Sequence, residues 1–176
     1  KELHKYQVIS QGFLSDITST RDINDLLASL SKEQILIDIL VNNVGIDIDT
    51  SIKNLDLDVW RRLYNTNVFG PLDLTQHISQ MMIDHQINGS IIFITSIHQW
   101  IVRRGAGYSS SKAALGMIIK ELALELAPYK IRVNGIAPGN DTEDKHGKTL
   151  PGQQHMSFRQ VMSMRSEVTL KREVQG

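Results

Sequence analysis

The chain has 176 residues, 41% of them hydrophobic, which is enough for one domain with a sizeable core and too few for two independent ones. Lys plus Arg and Asp plus Glu both number 19, so no net field favours nucleic acid or an anionic membrane. There is no cysteine, which excludes disulfides, thiolate nucleophiles and sulfur-ligated metals and makes the cytoplasm the expected compartment.

In chain order, short apolar runs alternate with segments of helical periodicity, the pattern of βαβ units around a parallel sheet. A first strand is expected within Gln7 to Leu14, ending at Asp16, and a helix over about Thr20 to Ser31 with Ile23, Leu26, Leu27 and Leu30 on one face. ILIDILV, Ile35 to Val41, reads as a strand covered on both faces. Asp56 can cap a long helix over about Leu57 to Gln86, which contains Gly70-Pro71. SIIFITS is the next strand, and a helix from about Tyr108 to Ala127 is apolar almost all round, so it is expected to pack on the sheet and against another subunit. IRVNGIAPG, residues 131 to 139, is the last clear strand and its exit turn; from Asn140 the chain becomes polar and irregular. No apolar run approaches the roughly 20 residues that span a bilayer, and KELHKYQ carries no signal-peptide core.

Tyr108 and Lys112, four apart, share one helix face. A phenol is a poor base at neutral pH, and a neighbouring ammonium favours the phenolate. On its own the pair also fits a solvated helix face. Ser96 lies at the C-terminal end of a strand, where open α/β sheets bind ligands; it can donate to a developing oxyanion or tie up a turn, and Thr95 stands beside it. Pro71 has no N–H for the carbonyl of Asn67, so that oxygen either holds a water or sits at a packing kink. Asn42, Asn43, Gly45 and Asp16 follow strand ends, as turn residues or facing a ligand. His98 either faces a substrate or sits in a solvated loop. The six histidines form no His-x-x-x-His pair, and no metal site is expected.

Together LSDIT, LVNNVG, NTNVFGP, ITSI, YSSSK and IRVNGIAPG, in that order, resemble the short-chain dehydrogenase/reductase family, with features of its glucose/gluconate dehydrogenase-like and 3-oxoacyl reductase-like members. The resemblance implies a Rossmann-like, doubly wound parallel α/β sheet and an NAD- or NADP-dependent oxidoreductase acting on a sugar, polyol or other small secondary alcohol or ketone. It implies that Tyr108 is the catalytic acid/base, Lys112 its partner and a ribose ligand, Ser96 the holder of the substrate oxygen and Asn67 the support of a water relay. It places Asp16 by the adenine, Asn42 and Gly45 by the ribose side, and Pro138 with Gly139 by the nicotinamide. A homodimer or homotetramer built on the 56–86 and 108–127 helices is expected.

Three features depart from the family pattern. Ser96 and Tyr108 are 12 positions apart, one fewer than usual, and Thr142 follows Gly139 by three instead of four. No Gly-x-x-x-Gly-x-Gly or Gly-x-Gly-x-x-Gly occurs, although a glycine-rich turn at a helix N-terminus normally seats the pyrophosphate. The expectation is therefore a single incomplete domain over 1–176 that lacks the first two strands and the last, with 140–176 as a substrate-loop region. The alternative reading is an inactive relative serving as a binding or oligomer-forming module.

Overall fold

The computed structural model describes residues 11–102 and 105–139. Helix α1, Thr20–Lys32, opens on Ser19, whose Oγ accepts from Asp22 N and donates to the Asp22 carboxylate. Strands β1 (Ile39–Asn42), β2 (Ser90–Ile94) and β3 (Arg132–Ile136) form a parallel sheet in the order β1-β2-β3. Helix α2, Leu57–Tyr64, runs through a π turn at Asn65–Phe69 into α3, Gly70–Asp84, and α4 spans Ala106–Leu126.

The pairing register explains which residues form the core. Leu40, Ile91 and Val133 lie in one row, and Asn42, Phe93 and Gly135 in the next row of that face. On this face Ile91 and Phe93 are completely buried, packed with Leu30 of α1, Ile78 and Met82 of α3 and Leu115 of α4. Burying such a side chain contributes on the order of 1.5–3 kcal/mol. The opposite face carries Ile39, Val41 and Ile136, 62%, 52% and 46% exposed.

Several expectations change. Among residues 11–14 there is no strand, and residues 7–10 lie outside the described residues. The run 35–41 pairs only from Ile39, because β2 begins at Ser90 opposite it, and Ile35 and Ile37 pack instead against the core. Among the described residues β1 is covered on one face, not both. The long helix after Asp56 exists, with Asp56 Oδ1 accepting from Asp58 N and Val59 N, but it widens into five π residues where Pro71 contributes no N–H. Thr142 and the whole 140–176 region lie outside the described residues. No described helix is long and apolar enough to cross a membrane.

Candidate active site

Helix α4 starts without a cap of its own, since Gly105 has no side chain to offer. The missing acceptor comes from the loop after β1: Thr50 Oγ1 accepts from Gly107 N at 3.0 Å. Tyr108, partly buried, follows at once, and Lys112 lies one turn on with 4% exposure. The Lys112 ammonium donates to the main-chain oxygen of Ile94 at 3.0 Å and lies 5.7 Å from the centre of the Tyr108 ring. Burial pushes the Lys112 pKa below its ordinary value of 10.5. Spacing on one helix face thus brings the pair together.

Asn67 is fully buried in the π turn and acts here through its side chain. Its Oδ1 accepts from Ile46 N at 2.8 Å, and its Nδ2 donates to Ile46 O at 2.9 Å and to Ser111 Oγ at 3.0 Å. Ser111 Oγ donates in turn to Tyr108 O at 2.7 Å. Pro71 bears only on the Asn67 carbonyl; the side-chain bonds, to partners 21 and 44 residues away, leave no mark in the sequence.

Ser96 is buried at the end of β2, and its Oγ accepts from His98 N at 3.2 Å. Thr95 faces the other way: its hydroxyl donates to Ile136 O and accepts from Gln99 Nε2, both at 3.2 Å. The two hydroxyls thus bond different neighbours, Thr95 the end of β3 and Ser96 the turn that carries His98. His98 is not a solvated loop residue. It is 4% exposed, its Nδ1 lies 3.3 Å from Ile101 O, and its ring stands edge-on to that of Tyr108 at 6.3 Å. His98 also lines a cavity of about 740 Å³ with Thr50, Trp100, Ser109 and Ser110. A second cavity, between α1 and α3, lies away from these residues.

The remaining predicted residues divide. Gly45 belongs to the cluster, because a Cβ there would stand 3.2 Å from Lys112 Nζ and 3.6 Å from Asn67 Oδ1. Pro138 O accepts from Ile97 N, which joins the exit of β3 to the Ser96 turn, and a Cβ on Gly139 would meet none of the described residues within 4 Å. Asn42 turns its amide inward to donate to Thr75 Oγ1 at 2.9 Å, anchoring α3 to β1. The exposed Asp16 uses its carboxylate to accept from Thr18 N and Oγ1. No described group of His, Asp and Glu could hold a metal.

The parallel β1-β2-β3 sheet with its packed helices, Ser96 at the C-terminal end of β2 and Lys112 bonded to Ile94 there, is a Rossmann-like α/β arrangement. Residues 1–149 match the short chain dehydrogenase family model, and the chain belongs to that family. It is 34% identical over 136 residues to the 2,3-dihydro-2,3-dihydroxybenzoate dehydrogenase of Bacillus subtilis, covering 77% of this chain and 52% of that protein. A short-chain type dehydrogenase/reductase from Mycobacterium marinum superposes with a TM-score of 0.75 at 30% identity, covering 78% of this chain and 56% of that one. A 4-hydroxyisoleucine dehydrogenase complexed with NADH superposes at 0.68 with 30% identity, over 70% and 55%. The chain thus spans about half the length of the relatives it matches.

Proposed function

We propose that the protein carrying this chain is an NAD- or NADP-dependent oxidoreductase that moves hydride between a nicotinamide and a secondary alcohol or ketone. The observation that carries this reading is the buried Lys112 ammonium, anchored on Ile94 O beside the Tyr108 ring. Its donor set fits a dinucleotide: an ammonium has three N–H groups, and Ile94 takes one of them. Lys112 would hold the nicotinamide ribose, with Gly45 leaving room beside it. A nicotinamide, when bound, supplies the hydride donor or acceptor.

The chain's own residues divide the remaining work. Ser96 Oγ would donate to the substrate oxygen and so stabilise charge that develops on it. Tyr108 would take the alcohol proton in oxidation and return it in reduction, next to the positive charge of Lys112. Asn67 holds the loop after β1 against α4 and supports a proton path behind the lysine. Asp16, Asn42, Pro138 and Gly139 are proposed to lie along the cofactor, Asn42 through main-chain groups, since its amide is engaged with Thr75. The substrate class we propose is a sugar, polyol or other small carbonyl compound, in keeping with the hydroxyl-bearing residues Thr50, Ser109 and Ser110 lining the cavity.

We also propose a single domain in the cytoplasm and a homodimer or homotetramer formed by the helices at 56–86 and 108–127. Met117 and Leu124, 56% and 52% exposed and seven residues apart on α4, support that interface. The decisive experiment is Tyr108→Phe in the intact protein with NADH or NADPH and a panel of carbonyl compounds. Loss of nicotinamide absorbance change in the variant supports the reading, and full turnover overturns it.

A further inference from the structure

We infer that Ser111 is a positioning residue that ties Asn67 to the tyrosine-bearing turn of α4. As a catalytic statement this rests on the reaction proposed above. Ser111 and Asn67 are both 0% exposed and are separated by 44 residues in sequence. A hydroxyl has one proton, and Ser111 gives it to Tyr108 O at 2.7 Å, so toward Asn67 it acts as acceptor. Asn67 Nδ2 has two protons, one for Ile46 O and one for Ser111 Oγ, while Oδ1 takes the Ile46 N–H. Turning the amide over would set its NH₂ against the Ile46 N–H and its oxygen against a hydroxyl whose proton is already used.

The consequence is a continuous path of four hydrogen bonds running Ile46, Asn67, Ser111, Tyr108. It joins the loop after β1, the π turn and the first turn of α4 into one unit. Ser110, by contrast, donates to Gly107 O within its own helix. Lys112 follows Ser111 directly and is fixed from the other side by Ile94 O. Tyr108 and Lys112 therefore take their places from two separate anchors, and Ser111 supplies the one that reaches Asn67.

The test is Ser111→Ala in the intact protein, read by steady-state kinetics and by backbone amide exchange at Ile46. The expected result is a fall in kcat of about tenfold with KM unchanged, together with faster exchange of the Ile46 amide. Ser111→Cys, which keeps a weak donor and acceptor, should recover part of both and replaces Ser111→Ala should that variant fail to fold. In a double-mutant cycle with Asn67→Ala, the losses in kcat should be less than additive. Unchanged kcat, or additive losses with Ile46 exchange unaltered, would overturn the inference. Failure of the oxidoreductase reading is distinguishable, because it appears as turnover by Tyr108→Phe while Ile46 exchange still reports on Ser111.

Discussion

Lys112 reaches from the second turn of α4 to the last residue of β2, where its ammonium donates to the Ile94 carbonyl at 3.0 Å. This single bond fixes a buried cation at the C-terminal edge of the sheet. Burial depresses the Lys112 pKa, so between that lowered value and 10.5 the unfolded chain binds more protons than the folded one. Stability should therefore rise as pH climbs through that window, with the cost of burying the charge fully present below it. Lys112→Met is expected to abolish this alkaline slope while staying within about 1 kcal/mol of wild type at neutral pH. Urea unfolding from pH 7 to 10.5 measures both, and an unchanged slope in Lys112→Met would count against the burial account.

Gly45 and Gly70 should respond differently to an added methyl. In Gly45→Ala the Cβ meets Lys112 Nζ at 3.2 Å, and the nitrogen is already tethered to Ile94 O. Activity is expected to drop by about tenfold, with stability changed by less than about 1 kcal/mol. In Gly70→Ala the Cβ would stand 2.5 Å from the main-chain oxygen of Ile17, which cannot swing aside like a side chain. Here a loss of about 1–3 kcal/mol in denaturant unfolding should outweigh the gain in helix propensity. Equal stability effects in the two variants would show that the close approaches are not decisive.

Thr50→Val should act as a helix-cap deletion at a distance. Its hydroxyl is the acceptor for Gly107 N, 57 residues away in sequence, and valine keeps the shape while removing the oxygen. A destabilisation of about 1–2 kcal/mol is expected. Amide exchange should accelerate first at Gly107 and Tyr108; protection there equal to wild type would refute the cap.

The exposed residues Ile39, Val41 and Ile136 on one sheet face predict the behaviour of the 176-residue chain prepared alone. Exposed apolar side chains on a sheet face, here beside Arg132 and Asn134, bind hydrophobic dyes and promote association. The chain should enhance the fluorescence of such a dye, and Val41→Lys should reduce it. A monomer without dye binding would indicate that something in the chain covers this face.

Local patterning carried most of the architecture. The 3.6-residue periodicity located α1 and the apolar segments located β2 and α4, the last two without marking a buried face, because the signal in each case lies within the segment's own sequence. Tyr108 with Lys112 was legible for the same reason: one helix face sets the pair. The start of β1 was not, since the apolar residues 35–41 do not say where a partner strand begins. Thr50 and Ser111 were not legible either. Their partners are 57 and 44 residues away, and a threonine in a loop or a serine in YSSSK carries no mark of so distant a bond.

The π turn at Asn65–Phe69 also sets the phase of the helix that carries it. Counted at about 100° per residue, Leu63 and Met82 would point about a quarter-turn apart in a regular α-helix, yet both are completely buried. The wide turn absorbs one residue and brings the two stripes back into line. Deleting one residue there would force the turn before Pro71 toward α-helical spacing, where proline can neither supply an N–H nor fit beside the carbonyl four residues back. The bulge that places Asn67 against Ser111 would be lost with it, so the phase of the helix and the anchor of α4 depend on the same extra residue.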